Sequence, residues 1–161
     1  MGRKQGVSVI IPVLNEVGNI QPLILRIDST LKNLEIPYEI LFIDDHSTDG
    51  TQKAIADIAS KNPAVVQFEK QGKRGKAYSI LEGVAHSQHE IICMIDADLQ
   101  YAPENIAPML TLMEKMNSDV VITNRITHAT GALRKLASFV FNYVFIKLLF
   151  GIEYDTQSGL K

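Results

Sequence analysis

Residues 91–95, Ile-Ile-Cys-Met-Ile, form an uninterrupted apolar run that stops at Asp96, Ala97, Asp98, Leu99 and Gln100. A run this short, β-branched at its start, predicts a strand buried on both faces, and such strands belong to parallel sheets covered by helices. Two carboxylates then fall just beyond the strand. Holding them together is costly unless positive charge shares the site. A hard divalent cation meets that need, because magnesium and manganese take oxygen ligands and commonly keep waters and substrate phosphates. Asp-x-Asp alone equally describes a solvated acidic turn, so its meaning depends on what surrounds it.

The rest of the chain repeats the pattern of strand, polar end and helix. An apolar strand over 7–11 closes at Pro12, and Asn15 is placed to cap a helix over 16–33 whose Ile20, Leu23, Ile24, Ile27 and Leu31 recur at helical spacing. A second strand over 38–43 ends in Asp44 and Asp45. Asp49-Gly50 then turns the chain into a helix over 51–60, with Ser47 and Asp49 fixing the turn and His46 an exposed loop residue. A third strand over 65–68 leads through the basic loop Gly72-Lys73-Arg74-Gly75-Lys76 into a helix ending near 85. After the strand at 91 come a helix opening at Pro103, a fifth strand over 120–123 and an amphipathic helix over 133–149. This alternation predicts an α/β fold: a mainly parallel sheet with helices on both faces. No linker or repeat divides it, so 1–161 is expected to be one domain.

Ligands of such sheets gather beyond the carboxyl ends of the strands. There the polar segments fall: 12–16, Asp44-Asp45, 73–76, 96–100 and Asn124-Arg125. Glu16 suits the first turn of a helix, and Asp45 can accept hydrogen bonds from a base or ribose. Lys73, Arg74 and Lys76 stand where a helix N-terminus helps hold an anion. Arg125, Arg134 and Ser138 are further anion-binding candidates, the last two one turn apart on a shared helix face.

Several classes are excluded. A net charge of −2 argues against electrostatic capture of nucleic acid. The lone cysteine, Cys93, sits in the apolar run, cannot form an internal disulfide and fits a reducing compartment. Residues 1–6 enter the first strand without the apolar core of a signal peptide. The most apolar stretch, 139–152, is interrupted by Asn142 and Lys147 and is too short to span a bilayer. There is no Gly-x-Gly-x-x-Gly and no Gly-Lys-Ser/Thr, which disfavours dinucleotide-binding and P-loop folds. A phosphoacceptor receiver would carry its paired acids after the first strand. An aspartate-nucleophile phosphohydrolase would carry Asp-x-Asp on that strand.

Taken together, Val-Ser-Val-Ile-Ile-Pro-Val-Leu-Asn-Glu (7–16), Ile-Asp-Asp-His-Ser-Thr-Asp-Gly-Thr (43–51), Lys-Arg-Gly-Lys-Ala (73–77), Asp-Ala-Asp-Leu-Gln (96–100) and Asp-Thr-Gln-Ser-Gly-Leu-Lys (155–161) resemble a family 2 glycosyltransferase of the GT-A fold. Within that family the sequence is most similar to the polyprenyl-phosphate sugar transferases of the dolichyl-phosphate mannose synthase type. The resemblance implies an inverting, metal-dependent transfer of a hexose from a donor of the GDP-mannose or UDP-glucose type to a polyprenyl phosphate. It places Pro12, Leu14, Glu16, Ile43, Asp45, Lys76, Asp96 and Ala97 around the donor. It places Asp96, Asp98 and Gln100 around Mg2+ or Mn2+, and Arg125, Arg134 and Ser138 on the acceptor phosphate. Asp96, Asp98 and Arg125 are the implied catalytic residues. Alternatives are an inactive nucleotide-sugar-binding fragment and a family 2 enzyme with a saccharide acceptor. His46 stands where the family often has a small residue. Because members generally continue past the segment ending at Lys161, the chain is expected to be one catalytic domain truncated on its C-terminal side. The implied location is the cytoplasm, with the helix over 133–149 either making peripheral contact on the cytoplasmic membrane face or packing on the sheet. An open sheet edge favours pairing of copies.

Overall fold

The structure, a computed structural model, describes residues 5–123 and 159–161. Asn124, Arg125, Arg134, Ser138 and the helix expected over 133–149 lie outside the described residues. Met1–Val121 and Gly159–Lys161 belong to one compact unit.

Four strands, β1 (Val7–Val13), β2 (Tyr38–Asp44), β3 (Val65–Glu69) and β4 (Ile91–Met94), lie in the order β3-β2-β1-β4. All their pairings are parallel, with Val9 of β1 opposite Ile40 on one side and Cys93 on the other. Helices α1 (Val17–Lys32), α2 (Thr51–Ala59) and α3 (Lys76–His86) form the crossovers between them. A 3-10 turn at Pro103–Asn105, with the proline at its start, leads into α4 (Ile106–Met116).

The central strands β1 and β2 are buried almost throughout, because both of their faces are covered. Ile20, Leu23, Ile24, Ile27 and Leu31 of α1 are buried against Val9, Ile11, Phe42 and Ile55. Burying an aliphatic side chain of this kind contributes about 1.5–3 kcal/mol. On the opposite face, Ile10, Leu41 and Ile43 form a second cluster. There α3 comes so close that a Cβ at Gly83 would stand 2.5 Å from Cγ2 of Ile10. Cys93 lies in the first cluster, and burial pushes its thiol up to about 12.

The amino ends of the strands are closed by a polar stitch. The hydroxyl of buried Ser8 donates to Glu39 Oε1 at 2.6 Å, the Gln88 amide donates to the same oxygen at 2.6 Å, and the His89 amide donates to Ser8 Oγ at 3.1 Å. These bonds tie the turn after α3 to the sheet and leave the carboxyl end as the open one.

Three expectations are corrected. Residues 120–123 are not a strand, and Val120 is exposed. The free edge of β4 is taken instead by Gly159–Lys161: Met94 and Lys161 exchange N–H···O bonds of 2.7 and 3.0 Å, and Ile95 bridges fully buried Leu160 in antiparallel fashion. Asn15 does not cap α1, since its backbone is left-handed at φ 56. Its side chain accepts from the Thr48 amide at 2.8 Å, while Asp49 Oδ2 and Thr51 Oγ1 satisfy the amides of Val17 and Glu16. The helix that opens at Pro103 in the sequence begins as the 3-10 turn, and α4 starts at Ile106.

Candidate active site

A cleft of about 280 Å³ opens at the carboxyl ends of β1, β2 and β4 and the first turn of α3. Its lining comprises Pro12, Val13, Leu14, Glu16, Asp45, Gly75, Lys76, Ser79, Asp96, Ala97 and Asp98. Residues far apart in sequence meet there because parallel strands bring all their carboxyl ends to one side.

The rim from β1 is fixed from the neighbouring loop. Asp49 accepts from the Thr51 amide at 3.0 Å and its hydroxyl at 2.6 Å, while its other oxygen takes the Val17 amide at 3.1 Å. One carboxylate thus closes an Asx turn ahead of α2, whose N-cap position is Gly50, and braces the start of α1. The Thr51 hydroxyl bond, with these amides, holds its carboxyl below the usual carboxylate range. Glu16, at the mouth of α1, accepts from Asn19 Nδ2 at 2.6 Å.

Asp45 is a buried part of the cleft wall. Its Oδ1 accepts from Lys70 Nζ at 2.9 Å and its Oδ2 from the Gly75 amide at 2.7 Å. The Lys70 bond chiefly, with the Gly75 amide, holds the carboxyl below its ordinary value. Lys70 itself is 1% exposed and also donates to the Gly75 carbonyl at 3.0 Å. Gly75 takes a left-handed φ of 117, and α3 begins at the next residue.

On the opposite side, Lys76 Nζ lies 2.5 Å from Asp96 Oδ1. Asp98 is exposed, and its Oδ1 accepts from the Gln100 amide at 3.1 Å across Leu99, whose φ of 58 turns the chain. Among the described residues no cluster of three His, Cys, Asp or Glu could enclose a metal. A carboxylate open to water at Asp98 and a partly exposed one at Asp96, paired with Lys76 and without a closed protein cage, fit the manner in which magnesium or manganese binds alongside substrate phosphates.

Of the sequence-nominated residues, Pro12, Leu14, Glu16, Asp45, Lys76, Asp96, Ala97 and Asp98 line this cleft. Ile43 does not: it is wholly buried in the cluster beneath α3, where its side chain lies directly under Gly83. Gln100 is exposed and off the lining, contributing its amide to Asp98. Lys73 and Arg74 stay solvated, Lys73 with Nζ 5.9 Å from the Tyr78 ring centroid. His46 is partly exposed in its loop, as expected, with Nδ1 3.8 Å from Glu69. Sequence reasoning missed Lys70 and Ser79. For Lys70 the only signal is its place just past a strand end, level with Asp45; Ser79 lies one helical turn after Gly75.

A parallel sheet with helical crossovers, and a cleft lined by acidic and basic side chains at its carboxyl edge, is an α/β architecture of the GT-A kind. A model of glycosyl transferase family 2 matches residues 8–150, and the chain belongs to that family. It is 36% identical over 119 residues to the dolichol-phosphate mannosyltransferase of Pyrococcus furiosus, covering 74% of this chain and 33% of that protein. It is also 36% identical over 137 residues to the undecaprenyl-phosphate 4-deoxy-4-formamido-L-arabinose transferase of Klebsiella pneumoniae, covering 84% and 42%. The chain therefore spans less than half the length of these relatives. Among solved structures it resembles a Pyrobaculum calidifontis mannosyltransferase in complex with GDP-Man and Mn2+, with a TM-score of 0.55, 28% identity and coverage of 74% of this chain and 35% of that one. Glucosyl-3-phosphoglycerate synthase of Mycobacterium tuberculosis shares the fold, with a TM-score of 0.70 at 23% identity over 98% of this chain and 56% of that one. Among the described residues no helix is long and apolar enough to cross a membrane.

Proposed function

We propose that this chain is the donor-binding part of an inverting glycosyltransferase, a single GT-A domain that moves a hexose from a nucleoside-diphosphate sugar to a polyprenyl phosphate. The observation that carries the reading is the single cleft that gathers Pro12, Leu14, Glu16, Asp45, Lys76, Asp96 and Asp98 at the carboxyl edge of the sheet. Its support comes also from relatives named as transferases acting on dolichol phosphate and undecaprenyl phosphate.

In this reading Pro12, Leu14 and Glu16 flank the nucleoside and Asp45 accepts a hydrogen bond from it. Each oxygen of Asp45 already takes one donor but keeps a second lone pair, so the carboxylate arrives oriented rather than free to rotate. Lys76 stands opposite and meets the diphosphate. Asp96, Asp98 and Gln100 would hold Mg2+ or Mn2+, and the ion would supply charge neutralisation for the departing nucleoside diphosphate. Arg125, Arg134 and Ser138 take the acceptor phosphate. A phosphate monoester is largely dianionic near neutral pH. Its oxygen therefore attacks the anomeric carbon without a general base, the bond to the diphosphate breaks on the opposite face, and configuration inverts. Positioning cations are what such an acceptor requires. Peripheral contact with the cytoplasmic membrane face follows from the lipid acceptor.

The test is calorimetric titration of GDP- and UDP-sugars with and without Mn2+, on wild type and Asp98→Ala. Metal-dependent binding of one nucleotide, abolished in Asp98→Ala, is expected. Absence of any binding to the folded chain overturns the reading.

A further inference from the structure

The β3–α3 connection contains a lysine that no solvent reaches. Lys70 follows β3 directly, and its side chain is 0% exposed. Its ammonium spans two elements, with Nζ 2.9 Å from Asp45 Oδ1 beyond β2 and 3.0 Å from the carbonyl of Gly75 at the start of α3. The ring closes where the Gly75 amide donates to the other oxygen of Asp45 at 2.7 Å. Asp45 and Gly75 line the cleft; Lys70 does not.

A buried ammonium is costly unless its partners are well placed, and removing one partner leaves the other charge uncompensated. An exposed lysine elsewhere in this loop would join the same segments without that cost. Three consequences follow from the ring. Both oxygens of Asp45 are held, so its remaining lone pairs point in set directions. Gly75 is pinned through its amide and its carbonyl together, which fixes its positive-φ conformation. The next residue, Lys76, is thereby delivered from a fixed point, one residue from the pin, towards Asp96. The neighbouring Gln71, Gly72, Lys73 and Arg74 are exposed and contribute nothing comparable to this ring.

We infer that Lys70 is a positioning residue of the donor site: acting through Asp45 and Gly75 without touching ligand, it sets the nucleoside-facing carboxylate and the diphosphate-facing turn as one unit. This rests on the donor-site reading above and adds a residue to it.

The test is a double-mutant cycle, Lys70→Met and Asp45→Asn, singly and combined, with Lys70→Arg as the charge-keeping variant. The readout is calorimetric affinity for GDP and UDP in Mn2+, well below the thermal transition of each protein. Lys70→Met is expected to weaken nucleoside-diphosphate binding about tenfold or more, Lys70→Arg to recover part of that loss, and Lys70→Met to cost clearly less once Asp45 is Asn, because only its bond to the Gly75 carbonyl is then left to lose. Unchanged affinity in folded Lys70→Met, or additive losses in the double variant, overturns the inference. If Lys70→Met does not fold, the double variant removes both buried charges at once and is compared with Asp45→Asn alone: a further loss of less than tenfold supports the inference, and a further loss of tenfold or more overturns it. Limited trypsin digestion of the ligand-free chain reads the same unit without nucleotide. Faster cleavage after Lys73 and Arg74 in Lys70→Met is expected, and an unchanged rate refutes the pinning of Gly75. Should wild type bind no nucleoside diphosphate, the donor-site reading fails, and the digestion still decides whether Lys70 anchors the turn.

Discussion

The identity of a charged residue says less here than its depth. Asp45 and Asp98 are both acidic and both face the cleft, yet Asp45 is buried against Lys70 while Asp98 is open to water. Asp45, with its carboxyl held below the ordinary range mainly by the Lys70 bond, contributes stability that is present above the unfolded value near pH ~3.9. That contribution is lost as pH falls through the lowered folded value. Asp45→Asn leaves the Lys70 ammonium buried without its counter-charge, and a loss of about 3–5 kcal/mol near neutral pH is expected in urea denaturation. The gap between variant and wild type should narrow as the medium is acidified, because the wild-type carboxylate then also becomes neutral. Lys70 could not be picked out in the sequence for the same reason. In Phe-Glu-Lys-Gln it reads as a solvated strand end, and only the approach of Asp45 and Gly75, neither adjacent to it in sequence, makes it interior.

Elements were far more legible than the bonds that join them. Periodicity locates α1, because the residues recurring at helical spacing are the ones packed on the sheet. Its N-terminal cap could not be read, since the groups satisfying it come from Asp49 and Thr51 in another loop. Residues 120–123 form no strand despite their β-propensity, because that propensity describes a residue's fit to a half-buried surface, and the partner edge here goes to Gly159–Lys161. Two element-scale outcomes follow. Pro22 lies exposed inside α1, where it has no N–H to donate back along the helix. Pro22→Ala should raise stability by roughly 1–3 kcal/mol, read as a higher urea midpoint with unchanged slope. Gly83→Ala should act in the opposite sense, because the added carbon would press on Ile10 where α3 crosses β1. A loss of about 1–3 kcal/mol is expected.

For the molecule as a whole, parallel topology predicted where the site would be before any side chain was placed. Structure and polarity agree: the Ser8–Glu39 stitch closes one end, and the cleft opens at the other. The sequence did not reveal which acids would be paired with lysines, because pairing depends on the loops between strands. If the cleft takes a nucleoside diphosphate with metal, ligand at about a hundred times its Kd should stabilise the fold by about 2.7 kcal/mol. In thermal melts that is a rise of roughly 5–10 °C, absent in Asp98→Ala.

The segment Gly159–Lys161 gives this whole-molecule behaviour one more dimension. Gly159 accepts the Asp96 amide at 3.2 Å, and a Cβ on that glycine would collide with the Asp96 carboxylate. Residues distant in sequence therefore share one acidic group, and thermodynamic reciprocity applies to them. Whatever affinity a cleft ligand gains when the segment is docked, the segment gains in docking when the ligand is bound. Slower hydrogen exchange at the Met94 and Lys161 amides in the filled protein would be the signature, turning a three-residue edge into a reporter of cleft occupancy.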